Sequence, residues 1–198
     1  MNEAIRILRQ EHRSISSVLH GLRELTRTAQ DPAVRPDFSV LRAMIYYIDA
    51  FPERLHHPKE NDVLFPRILT RAPAAAALVQ ELREDHTKGA ELVRDLERAL
   101  LTFEACWPYG GDRFSEVVSA YTNFHWEHMR KEESALLPLA EVALSDEDWK
   151  AIGHAFAGND DPIADLREKD FAQLFARIVA IAPAPIGLGR PWKQHAMR

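Results

Sequence analysis

Residues 128–138, His-Met-Arg-Lys-Glu-Glu-Ser-Ala-Leu-Leu-Pro, repeat the pattern of residues 56–66, His-His-Pro-Lys-Glu-Asn-Asp-Val-Leu-Phe-Pro, at an offset of 72 positions. His56, Lys59, Glu60, Leu64 and Pro66 recur as His128, Lys131, Glu132, Leu136 and Pro138. A His and a Glu four apart on a helix share one face, separated by one turn, where they can grip one cation or flank two adjacent ones. Upstream of each motif runs a helical stripe with one histidine in its apolar seam, His12 and His86, themselves 74 positions apart. The chain therefore reads as one helical hairpin used twice, and a pseudo-twofold bundle is the consequence.

Apolar residues recur at helical spacing through most of the first 140 positions and strand signals are almost absent, so the fold class is all-α. Ile5, Leu8, His12, Ile15, Leu19 and Leu22 form the first stripe. Asn2 caps its start, and Asp31-Pro32 with Pro36 end it. The second helix is expected from about Phe38 to Leu69, with Leu41, Ile45 and Ile48 leading toward His56, Glu60 and Leu64. Pro52 and Pro58 each remove a backbone donor, so a kink or local unwinding is expected beside His56. Pro73 opens the third helix, whose seam is Ala75, Val79, Leu82, His86, Gly89, Val93, Leu96 and Leu100. Residues 107–111 break the chain before a fourth stripe of Phe114, Val118, Tyr121, His125, His128, Glu132, Ala135 and Leu139. Four long helices with short connections imply an antiparallel four-helix bundle over residues 1–142.

Residues 143–198 have a different texture and are expected to form a C-terminal helical extension and tail packed on the bundle. Ser145 and Asp148 make a capping box for a short helix to about Ala157. Residues 164–182 read as a further amphipathic helix, and residues 183–192, with three prolines and two glycines, as extended.

Composition narrows the function classes. The chain has 198 residues, is 46% hydrophobic, and holds only 8 Gly and 12 Pro, which excludes collagen-like order and disorder. A net charge of -5 supplies no field to gather phosphates, so no nucleic-acid partner is expected. Cys106 is the single cysteine, which excludes a thiolate cluster and an internal disulfide and fits a reducing compartment. The first residues lack the apolar run of a secretory signal and no stretch approaches 18 uncharged apolar residues. A cytoplasmic protein away from membranes is expected.

Four imidazoles and two carboxylates, from His12, His56, Glu60, His86, His128 and Glu132, thus converge in a bundle core. A lone seam histidine is ordinarily a hydrogen-bonded core residue. Here one occurs per helix and two have a glutamate in step, and burying them without a cation would cost a few kcal/mol per group. Nitrogen and oxygen donors without sulfur suit iron, with manganese and zinc as competitors. Two His and one carboxylate per metal leave positions open to small molecules.

Around this set, His125 is read as either a further ligand or a hydrogen-bond donor behind the ligands. His57 points about 100° away from His56 by helix geometry, and Glu133 is off-axis likewise, so both are expected outside the ligand set, Glu133 in solvent. Lys59 and Lys131 read as exposed ion-pair partners. His20, His154 and His195 are expected at the surface. Tyr121 reads as a core aromatic with reach to the site as the alternative, and Cys106 as packing.

The paired H-x-x-K-E motifs with L-(F/L)-P behind them, each preceded by a single helix histidine, resemble the hemerythrin-like HHE cation-binding domain over about residues 4–142. The resemblance implies an up-down-up-down four-helix bundle around an oxygen-bridged binuclear iron centre, with the six residues above as ligands and both glutamates bridging. It further implies binding of O2 or another small diatomic, or sensing of iron or redox state. The alternative it implies is a di-iron enzyme acting on peroxide, NO or O2, or an iron-sulfur cluster repair protein. Oxygen-carrying members place a second histidine one turn after the third-helix ligand, where this chain has Ala90. A near-symmetric site results, similar to the subgroup of iron-sensing and iron-sulfur-repair proteins. The segment after residue 145 resembles an extension found in members of the family, suited to a protein partner or to self-association.

Overall fold

In the computed structural model the described residues are 2–33, 35–157 and the isolated positions 176, 178 and 180. Among them every regular element is helical and no strand forms. Helix α1 (Glu3–Thr28) begins where the Asn2 side chain accepts the Ala4 N–H at 2.9 Å, and it buries the whole predicted stripe, His12 included. Helix α2 (Phe38–Ile48) is capped by Asp37, which accepts from the Ser39 and Val40 N–H groups.

The chain then stays helical to Arg71, but with altered pitch. A π-helical stretch π1 (Asp49–His56) leads into the single turn α3 (His57–Lys59), then π2 (Glu60–Leu64) and α4 (Phe65–Arg71). After a 3₁₀ turn at Pro73–Ala75 come α5 (Ala76–Cys106) and α6 (Gly111–Lys131), and the fourth arm continues through π3 (Glu132–Leu136) into α7 (Leu137–Ala143). Gly110 precedes α6 at φ 93°, where a Cβ would meet the Phe103 Cα at 3.3 Å, so glycine is required on both counts.

The three π stretches share one cause. Each ends two residues before a proline: Pro58, Pro66 and Pro138. A proline offers no N–H, and its ring crowds the carbonyl four residues back, here that of Arg54, Asp62 or Ser134. The turn widens instead of breaking: the N–H groups of His57, Phe65 and Leu137 reach the carbonyls of Pro52, Glu60 and Glu132, each five residues back. The kink or unwinding expected beside His56 is therefore a wide turn. Each wide turn also shifts the register of the helix beyond it. On the fourth arm the expected seam residue Ala135 is exposed and Leu139 only half-buried, while Leu136, Leu137 and Ala140 face the core.

The arms make an all-α, up-down-up-down four-helix bundle whose interior is not continuous. One apolar cluster holds Leu19, Leu22, Leu41, Ile48, Leu96, Phe103, Phe114 and Tyr121. A second holds Ile5, Leu8, Leu64, Phe65, Leu82, Leu136 and Leu137. The buried ionisable side chains of His12, His56, Glu60, His86, His128 and Glu132 belong to neither.

Helix α8 (Asp146–Ala157) closes the second cluster against α1 with Trp149, Ile152 and Phe156. Ser145 and Asp148 form the expected reciprocal cap, at 3.0 and 3.2 Å, and Arg71 donates to Asp148 at 2.8 Å. The helix expected over residues 164–182 and the extended stretch 183–192 lie outside the described residues apart from positions 176, 178 and 180, as does His195; Ile178 is buried in the first cluster. No helix among the described residues is long and apolar enough to cross a membrane.

Phe156 has no exposed surface and sets its ring edge-on to that of His56, with centroids 6.1 Å apart. Phe156→Ala should cost about 3–5 kcal/mol in denaturant unfolding; a loss under about 1 kcal/mol would show that α8 is not part of the core.

Candidate metal centre

Each of the four seam histidines presents its Nε2 to the space between the apolar clusters, and the two glutamates divide their oxygens among them. Glu60 Oε1 lies 3.4 Å from His56 Nε2 and its Oε2 lies 3.3 Å from His86 Nε2. Glu132 Oε2 lies 3.3 Å from His12 Nε2 and its Oε1 lies 3.3 Å from His128 Nε2. Each carboxylate thus faces one histidine of the pair His12/His56 and one of the pair His86/His128. The six side chains named from spacing are brought together and are nearly inaccessible to solvent.

The opposite ring nitrogen of each histidine is held from behind. His12 Nδ1 donates to Glu133 at 2.9 Å, His56 Nδ1 to Glu11 at 2.6 Å, and His86 Nδ1 to the Asn61 amide oxygen at 3.1 Å. His128 Nδ1 faces Asp85 at 3.4 Å, and Asp85 is fixed by Lys131 at 2.8 Å. An imidazole that donates from Nδ1 keeps its lone pair on Nε2, the arrangement that orients metal-binding histidines. Glu133 is half-exposed as its off-axis position implies, yet it reaches His12 because α1 packs beside the fourth arm. Glu11, Asn61 and Asp85 carry no spacing signal, since each acts on a histidine of another helix.

The donor set fits a cation. His12 Nε2, Glu60 Oε2 and both Glu132 oxygens are buried and make no hydrogen bond. His86 and His128 bring their Nε2 atoms to 3.1 Å, which repels two lone pairs unless a proton or a cation lies against them. Among the described residues two groups have ligand atoms mutually within 4.8 Å: His12, His56, Glu60 and Glu132, and His57, Glu60, His86 and His128. Glu60 belongs to both.

His57 is the clearest departure from the reading by helical spacing. It is buried at 4% exposure and its ring stacks on that of His86, with centroids 4.1 Å apart. The wide turn π1 explains this, because more residues per turn means less rotation between His56 and His57. Burial, reinforced by the surrounding imidazoles, pushes its pKa well below the usual histidine value. His125 stands one layer out, with Nε2 3.5 Å from Glu53 Oε1, and is in neither group. Burial and the neighbouring His128 and His86 drive its pKa down to about 3. Tyr121 packs on His125 within the first apolar cluster. Burial drives the Glu53 carboxyl up to about 7. His20 and His154 are exposed, as expected; Cys106, expected in the packing, is instead exposed, because Phe103 one turn earlier takes the core position.

The family model for the hemerythrin HHE cation-binding domain matches residues 3–140. No curated protein matches the chain.

Burial opposes charge on His12 and His128, but the adjoining Glu132 and the acceptors Glu133 and Asp85 raise both to about 10. In chelator-treated protein these raised values add stability that is complete below the ordinary pKa near 6.5 and lost as pH rises through 10. A cation requires the unprotonated rings and displaces those protons. Loading near pH 7 in weak buffer should therefore release protons, read with an indicator dye, and apparent affinity should climb toward pH 10 while the stability of the chelated protein falls. Proton uptake on loading would contradict this charge assignment.

Proposed function

Because the chain belongs to the hemerythrin HHE cation-binding domain family, we propose that it is a non-haem di-iron protein that binds O2, NO or peroxide, or reports iron or redox state through the same centre. The observation that carries this reading is the division of the two carboxylates between two histidine pairs. In that arrangement His12 and His56 would hold one ion and His86 and His128 the other, with Glu60 and Glu132 each offering one oxygen to either pair. Bound iron supplies redox change and open coordination positions for a small ligand.

The chain's own residues do the rest. Glu133, Glu11, Asn61 and Asp85 fix the imidazole tautomers and hold the Nε2 lone pairs inward. The apolar clusters above and below exclude water and strengthen each electrostatic contact in the layer. A surface cavity of about 400 Å³ between α1 and the fourth arm is lined by His12, Glu133, Trp126 and Met129, which makes the His12 edge the side from which we expect a diatomic to approach. Manganese and zinc suit the same donors and are told apart by metal determination on the loaded protein. Residues 143–198 are read as an extension of the 1–142 bundle, and the single cysteine favours a reducing compartment such as the cytoplasm.

Protein purified from iron-replete cells should contain about two iron atoms per chain and be coloured, its spectrum changing on reduction and re-exposure to air. Glu60→Ala, Glu132→Ala and His86→Ala should each lose iron together with the stability that binding adds. Colourless, metal-free protein with an unchanged melting temperature in His86→Ala would overturn the reading.

A further inference from the structure

We infer that His57 is a fifth imidazole donor, aimed at the ion that His86 and His128 would hold, with Glu53 as its positioning carboxylate. The inference rests on the centre proposed above and deepens it, since it makes the two ions inequivalent: three imidazoles on one, two on the other.

Three observations carry it. A ring nitrogen of His57 lies within 4.8 Å of ligand atoms of Glu60, His86 and His128. His57 Nδ1 faces Glu53 Oε2 at 3.3 Å, which repeats on a fifth histidine the arrangement found on the other four, an acceptor behind Nδ1 and the lone pair left on Nε2. The Glu53 side chain is only 6% exposed, its Oε1 has no hydrogen-bond partner, and the His57 and His125 rings lie against it at 3.3 and 3.5 Å, with the Tyr121 hydroxyl as a further neighbour. Behind a ring that merely fills space an acceptor at Nδ1 has no work to do, whereas behind a ligand it fixes the tautomer and the ring orientation.

The competing account is packing, because His57 stacks on His86 and lies nearly parallel to His125 with centroids 5.8 Å apart. Packing alone would be served as well by a phenylalanine, which stacks and needs no acceptor. The wide turn π1 also favours ligation: the His57 N–H bonds to the Pro52 carbonyl, and the same turn that brings His56 inward brings His57 with it.

His57→Phe keeps the ring and its stack and removes the nitrogen. Wild type, His57→Phe, Glu53→Gln and His86→Ala are loaded with ⁵⁷Fe and compared by iron stoichiometry, competition with a chelator, and Mössbauer spectra. Wild type should show two distinct iron environments. In His57→Phe one ion should be held roughly 10- to 100-fold more weakly, and the remaining environments should lose their inequality; Glu53→Gln should weaken the same ion by about tenfold while leaving two irons bound at saturation. An affinity and spectrum unchanged in His57→Phe, with iron still lost in His86→Ala, would overturn the role of His57 and leave the six-donor centre intact, whereas a wild type that binds no iron would overturn the centre itself. If His57→Phe does not fold, His57→Ala decides: recovery of the two-environment spectrum on adding imidazole supports ligation, and its absence refutes it.

Discussion

A layer of carboxylates and imidazoles lies sealed between two apolar clusters, and its charge must be balanced from within. Glu60 and Glu132 are about as inaccessible as the leucines above and below them, and buried ions left uncompensated cost several kcal/mol each. Without a cation, protons held on His12 and His128 supply part of the balance; with one, the orphaned oxygens of Glu60 and Glu132 gain the partner they lack. The long helices that bury both apolar clusters are what keep water from solving the problem instead.

Precision in that layer comes from the backbone as much as from the donors. Each glutamate of the repeated motif opens a wide turn, and each wide turn is forced by a proline six residues after the glutamate. The device turns the helix less per residue, so successive side chains can share the inner face: His56 with His57 on the second arm, Leu136 with Leu137 on the fourth. The prolines thereby shape the centre without supplying a donor to it. Gly89 contributes in a different way, since a Cβ there would press on Glu53 Oε1 at 3.1 Å and His125 Nε2 at 3.2 Å.

Much of this was legible in the sequence. The stripes of α1 and α5 name their buried residues correctly because a regular α-helix makes facing a simple function of spacing. The two His–Glu pairs are visible because the repeat doubles a weak signal, and the Ser145–Asp148 cap because its bonds are local. His57, Ala135 and Leu139 depart from the reading by spacing for one shared reason: a rotation of about 100° per residue fails in and beyond a π turn. Glu11, Asn61, Asp85 and the reach of Glu133 to His12 were illegible for another, because hydrogen bonds between helices depend on packing that spacing within one helix does not encode.

The most direct measurement is anomalous diffraction at the iron edge from crystals of the iron-loaded protein. Two peaks are expected inside the polar layer, each within about 2.0–2.2 Å of imidazole nitrogen and carboxylate oxygen, with Glu60 and Glu132 between them. A layer with no peak, or iron found only on surface carboxylates, would contradict the account.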